Sequence, residues 1–280
     1  MRLLAKSAVG HLDAPQLARL PKGIDIVGDI AILKLSDEFQ DEKHDIAESL
    51  LSLVPCLRVV LVQMGPVASQ FRTRKLEWLA GEHRTETVHR EFGCRYKVDV
   101  ETTYFSPRLS HERKRIADLV SPGECVVNFF AGVGSFSIMI AKRSRPARIY
   151  SIDINPIAIR YHILNNKLNA VRDTIDLICG DANRLVMTSL VGQANRVLLP
   201  LPELALESLP IAKSALNNGR GMVHCYVFID SNRRSEAGKQ ALSKLGPVLR
   251  SLGLTKENVE AHTVRSVGPR RYQVCLDIRI

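Results

Sequence analysis

The sequence predicts an α/β protein: a small α+β domain over residues 1–100, then a doubly wound domain over residues 101–280. Three observations predict it. From about Lys97 onward, apolar strand-like runs alternate with helical patterns, the rhythm of a mostly parallel sheet covered by helices. Cys125 to Ser137 reads Cys-Val-Val-Asn-Phe-Phe-Ala-Gly-Val-Gly-Ser-Phe-Ser, an apolar run entering a glycine turn that opens a helix. A second apolar run, Ala147 to Ile152, stops at Asp153, 19 positions after Gly134. That is where such sheets offer a carboxylate to a ribose.

In order along the chain, Asp13-Ala-Pro-Gln reads as a helix start with proline in the first turn. Ile24 to Leu35 is strand-like and broken at Gly28-Asp29. Glu38 to Val54 is an amphipathic helix, with Ile46, Leu50, Leu53 and Val54 on one face. Leu57 to Val62 is a buried strand, and Thr85 to Val100 a hairpin turning at Phe92-Gly93. No glycine turn suited to a cofactor occurs in this part.

Beyond it, strands are predicted near 124–130, 147–152, 174–179, 194–199, 221–229, 257–265 and 271–279. Helices are predicted over 109–119, 135–143, 156–168, 203–216 and 234–252. Only a short turn, Gly268-Pro269, separates the last two strands, so they pair antiparallel. With no low-complexity linker, the two domains are expected to pack together and to leave a cleft at their junction.

Composition narrows the function classes. Hydrophobic residues at 45% describe a folded, soluble protein, and no stretch is apolar enough to span a membrane. The net charge of +10 points to a polyanionic partner. Six cysteines lie dispersed, without a Cys-x-x-Cys pair, which argues against a metal site or a disulfide frame and suits a reducing cytoplasm.

The glycine turn selects among cofactors. Phe136 stands where a dinucleotide fold wants its third glycine, so no pyrophosphate is accommodated. S-adenosylmethionine suits the turn better; a dinucleotide, or a turn with no ligand, is the alternative. Asp181 ends the next strand, either to meet an adenine amino group or simply to cap a helix. Pro200 and Pro202 stop the fourth strand at the same edge. Between the domains, Glu112 falls in the first turn of a helix, where the dipole or a nearby arginine would also favour an acid. Phe71 to Trp78 interleaves cations with aromatics, as a nucleic-acid surface or a solvated strand edge would. His224, inside an apolar strand, reads as a core histidine.

Several runs then recur in a familiar order: Asp-Ile-Val-Gly-Asp (25–29), Phe-Arg-x-Arg (71–74), Leu-Ala-Gly-Glu-His-Arg-Thr (79–85), Tyr-Phe-Ser-Pro-Arg-Leu (104–109), Phe-Ala-Gly-Val-Gly (130–134) and Ile-Asp-Ile-Asn-Pro (152–156). With Val264-Arg-Ser and Leu276-Asp-Ile-Arg, the chain resembles the Rossmann-type tRNA (guanine-37-N1)-methyltransferases of archaea and eukaryotes along nearly its whole length. The resemblance implies a Rossmann-like S-adenosylmethionine-dependent methyltransferase domain. It implies a tRNA anticodon loop as partner, no metal or membrane, and a cytoplasmic monomer.

By the same resemblance, Glu112 and Arg72 are catalytic. Phe130, Ala131, Gly132, Val133, Gly134, Asp153, Ile154, Asp181, Ala182 and Pro200 line the cofactor, while Arg74, Tyr104, Arg108 and Pro202 line the substrate. N1 of guanine carries a proton, so its alkylation needs a base such as Glu112, and a guanidinium at Arg72 would stabilise charge growing on O6.

Three departures stand out. Pro200-Leu201-Pro202 replaces the family's Asn-Leu-Pro, Asn128 replaces a usual aspartate, and the extra amino-terminal domain of many archaeal members is not expected here. Two competing readings follow. One is transfer of the cofactor's aminocarboxypropyl group to a wybutosine-type base, against which Arg108 and the Asp153–Pro156 run argue. The other is a tRNA-binding paralogue with reduced catalysis, suggested by Pro200. Acceptance of inosine or of a wybutosine-type precursor is left open by the sequence.

Overall fold

The chain divides into two units, Met1–Pro107 and Arg108–Ile280, in a computed structural model that describes residues 3–21, 23–65 and 71–280. In the first unit, α1 (Leu3–Ser7) and α2 (Ala14–Arg19) precede a hairpin of β1 (Asp25–Val27) and β2 (Ile30–Leu33). The start of α2 follows from its sequence: Asp13 accepts a bond from the Gln16 amide at 2.7 Å, and the Gln16 side chain accepts one from the Asp13 amide. Then α3 (Lys43–Leu53) crosses to β3 (Val59–Gln63), parallel to β2, and β4 (Leu76–Gly81) adds an antiparallel edge. Phe39, Ile46, Leu50 and Val60 are fully buried in the core of this sheet.

β5 (Glu86–Glu91) and β6 (Cys94–Asp99) form the predicted hairpin, with Phe92 and Gly93 both at positive φ as a tight two-residue turn requires. The inner face of the hairpin explains two of the recurring runs. Arg84 grips the Asp29 carboxylate with both terminal nitrogens, at 3.1 and 2.6 Å, and Thr87 donates to the same group at 2.7 Å. Burial opposes ionisation of Asp29, yet the Arg84 fork and Thr87 hold its carboxyl below the ordinary range. A side chain on Gly28 (φ +58) would strike the Thr87 hydroxyl at 2.1 Å, so the turn beside this clamp has room only for glycine. Phe105 packs on His89 and Tyr96, with centroids at 5.1 and 5.8 Å, which keeps the residues before Pro107 with this unit.

The second unit begins with α4 (Ser110–Leu119) and continues through β7 (Cys125–Asn128), α5 (Ser135–Ser144), β8 (Arg148–Asp153), α6 (Pro156–Leu168) and β9 (Ile175–Cys179). There follow α7 (Ala182–Ser189), β10 (Arg196–Leu199), α8 (Ala205–Ala215), β11 (Met222–Asp230), α9 (Ala237–Ser251), β12 (Val259–Gly268) and β13 (Arg271–Arg279). The seven-stranded sheet runs β12-β13-β11-β10-β7-β8-β9. β7 to β11 pair in parallel, and β13 is antiparallel to both neighbours, as the short turn at 268–269 predicts.

Strand order reverses between β7 and β10, and at such a switch point the carboxyl ends of the strands open a crevice for ligands. One face of the sheet is apolar: Cys225, Val227, Val274 and Leu276 pack there with Ala205, Leu209 and Ala241 of α8 and α9. Strand alternation sends His224, Tyr226, Cys275 and Asp277 to the other face, where α4 meets them.

Candidate active site

The glycine turn, β8 and β9 are joined into one rim by short hydrogen bonds. The Ala131 amide donates to the Ile152 carbonyl at 2.8 Å, and the Gly132 amide to Asp153 Oδ2 at 2.6 Å. From the far side, the Gly180 amide reaches the Asp153 carbonyl at 2.9 Å. Among the described residues, Asp153 Oδ1 accepts one bond, from the Asn155 amide at 2.9 Å, so each carboxylate oxygen retains a lone pair for a hydroxyl. Burial raises the Asp153 carboxyl against the pull of these two amides.

Ile154, next along, is exposed and offers apolar surface beside the acid. Phe130 (φ +56) and Gly132 (φ +56) make the turn's sharp bends. Gly134 (φ +90) shares the left-handed backbone, and a side chain there would also meet the buried His162 ring at 2.2 Å, so helix packing adds its own demand for that glycine. Val133 and Ala131 are buried beneath the turn, and among the described residues no side chain caps the start of α5 at Gly134.

The neighbouring positions divide. Asp181 caps α7 by accepting the Arg184 amide at 2.9 Å, the simpler of its two predicted roles, with Ala182 buried behind it. Pro200 follows β10 half-buried, Pro202 is buried, and the Leu201 carbonyl closes a turn by accepting the Leu204 and Ala205 amides. Asn128 turns inward, its amide donating to Ser137 at 2.9 Å. Acceptors for hydroxyls beside open apolar surface and a glycine turn together fit S-adenosylmethionine.

Glu112 sits in the first turn of α4, 7% exposed. Its Oε1 accepts from Arg115 Nη2 and from the Tyr226 hydroxyl, each at 2.7 Å, and its Oε2 from Arg115 Nε at 2.9 Å. The arginine pairing allowed as an alternative in the sequence is therefore real. Tyr226 also packs on Phe136, centroids 5.9 Å apart, so the residue replacing the third glycine braces the tyrosine that holds Glu112. Arg115 spans to Asp277 at 2.7 Å, and Asp277 accepts from His224 Nδ1 at 2.6 Å.

Arginine is always a donor, so the 2.7 Å contact from Arg196 to His224 Nε2 fixes the tautomer with its proton on Nδ1. Both ring nitrogens are thus engaged, which makes the close group His224, Cys275 and Asp277 a hydrogen-bonded cluster and not a set of open metal ligands. Burial resists the charge on Asp277, but His224 and Arg115 hold its carboxyl well below the usual range. Sequence reasoning missed this cluster. The one available signal was polar residues alternating inside two otherwise apolar strands.

In the amino-terminal unit, Arg72 (φ +55) lies over the Tyr104 ring, its guanidinium carbon 4.3 Å from the centroid. Arg74 is 3.8 Å from the Asp25 carboxylate, which shares its charge. Arg108, in the other unit, is exposed just ahead of α4.

A model of the TRM5/TYW2 methyltransferase domain matches residues 87–246, more than half of the chain. The chain belongs to the TRM5/TYW2 methyltransferase family. Residues 4–85 match a TYW2 N-terminal domain. Among members of the TRM5/TYW2 family, the tRNA (guanine(37)-N(1))-methyltransferase Trm5b of Pyrococcus abyssi is 34% identical over 96% of this chain and 78% of its own. The tRNA 4-demethylwyosine(37)-methyltransferase Taw21 of Saccharolobus solfataricus is 34% identical over 92% of this chain and 94% of its own. A solved complex of aTrm5 and tRNALeu superimposes with a TM-score of 0.81 at 32% identity, covering 100% of this chain and 78% of that one.

Proposed function

We propose that this protein methylates N1 of guanosine 37 in tRNA, using S-adenosylmethionine. Kinship along nearly the full chain with a guanine-37 enzyme carries the reading. In it, Asp153 holds the ribose hydroxyls, Ile154 lies against the adenine, and the backbone from Phe130 to Gly134 lines the methionine end, with Asp181, Ala182 and Pro200 at the rim. When bound, the cofactor supplies a methyl group already activated by a sulfonium, so the chemistry calls for no metal.

The remaining work falls to the protein. Glu112 takes the N1 proton, Arg72 stabilises charge on O6, and Arg74, Tyr104, Arg108 and Pro202 orient the anticodon loop. The net charge of +10 supports RNA binding, and a cytoplasmic monomer is the form proposed.

A second reading, methylation of 4-demethylwyosine at the same position, is favoured by the 94% coverage of Taw21 and by the missing amide at Pro200. One experiment separates them. Purified protein is incubated with methyl-labelled cofactor and tRNA bearing guanosine, adenosine or 4-demethylwyosine at position 37, then digested. Label in 1-methylguanosine from the guanosine substrate alone supports the first reading, label only in the tricyclic base supports the second, and no label sinks both. A parallel incubation with cofactor labelled in its aminocarboxypropyl carbons would reveal the competing transfer, by label in the tRNA base.

A further inference from the structure

We infer that Tyr226 and the Arg115–Asp277 pair are positioning residues that fix Glu112 and leave its Oε2 as the oxygen that receives the proton. The inference rests on the proposed role of Glu112 as base. Its two oxygens are unequal: Oε1 accepts two hydrogen bonds, from Arg115 Nη2 and the Tyr226 hydroxyl, whereas Oε2 accepts one, from Arg115 Nε. Oε2 therefore has the spare lone pair. The N1–H bond would break with its proton passing to Oε2, which makes the carboxylate a neutral acid; the purine electron pair would bond the methyl carbon as the carbon–sulfur bond of the sulfonium breaks, its electrons leaving on a neutral thioether.

The supporting groups are poor choices for stability alone. His224, Tyr226, Cys275 and Asp277 all lie on one face of β11 and β13, each at most 8% exposed. Apolar residues of similar size commonly serve a buried face as well as or better than ions do. On the opposite face of the same strands the chain uses such residues. What the polar face provides is a fixed carboxylate. Asp277 shares the Arg115 guanidinium with Glu112, at 2.7 Å from each, and so weakens the pull of that cation on the base. Among the described residues of this unit, the other titratable groups around the pair are Cys275, 3.2 Å from Asp277, and His262 on β12, 3.4 Å from it.

The test is single-turnover methyl transfer against pH in Glu112→Gln, Tyr226→Phe and Asp277→Asn, with cofactor affinity measured on each. Tyr226→Phe removes a donor to the carboxylate, so the acid limb of the profile moves to higher pH and the plateau rate falls roughly tenfold. Asp277→Asn leaves Arg115 wholly to Glu112, so the acid limb moves to lower pH. Opposite shifts with unchanged cofactor affinity support the inference; a merely structural role would move both variants together or neither. If Glu112→Gln abolishes transfer while the other two keep the wild-type profile, the positioning role is overturned and the base survives. If Glu112→Gln keeps the wild-type rate, the base is overturned and the positioning role with it.

Discussion

His162 shows how a single residue ties a turn to the stability of a domain. Its ring lies beneath Gly134, fully buried, and neither nitrogen has a hydrogen-bond partner among the described residues. Burial alone pushes its pKa from 6.5 down to about 3. The unfolded chain therefore binds a proton that the folded chain refuses, and stability present above pH 6.5 is lost as pH falls toward about 3. His162→Phe keeps a ring under the glycine and removes the titration. Denaturant midpoints should thus fall less steeply with acid in the variant than in the wild type over that window. Parallel curves would assign the acid sensitivity to other groups.

Among the elements, α7 is where a structural and a ligand-binding role compete for one residue. Asp181 caps it, so Asp181→Ala should lower stability by about 1 kcal/mol. A loss of cofactor affinity in isothermal titration, beyond what Asp181→Asn shows, would add the adenine contact; equal affinity in both variants would leave Asp181 a cap.

The same helix marks what could be read from sequence. Hydrophobic alternation and the glycine turn were sufficient for β7 to β13, because Val126, Val127 and the Val197–Leu199 run are buried on both faces. Three elements escaped. α1 is only five residues long, α7 is short and carries polar residues on most of its surface, and β4 is an edge strand whose exposed Trp78 and whose Glu77, paired with Lys43 of α3, mask its period. At the site, Glu112 and the Asp153 rim were legible because local pattern places them. The link from Arg115 to Asp277 spans 162 residues, and no local pattern encodes a pairing that only the sheet register creates.

For the whole molecule, the charge of +10 makes a claim about association. Affinity for tRNA should fall by tenfold or more between about 50 and 200 mM salt, with log affinity linear in log salt, as counterion release requires. A flat response in filter binding would remove phosphate contacts as the main source of affinity.

The reversed strand of the large sheet carries its own consequence for how the molecule is made. β13 lies between β11 and β12, both of which precede it along the chain. A short turn joins β12 to β13, so the two can dock as one hairpin with residues 271–279 against β11. The strand next to β11 in space is thus the later of the two in sequence, a long-range pairing of the kind that slows folding. That same pairing delivers Asp277, so on the proposed mechanism chemical competence waits for β13.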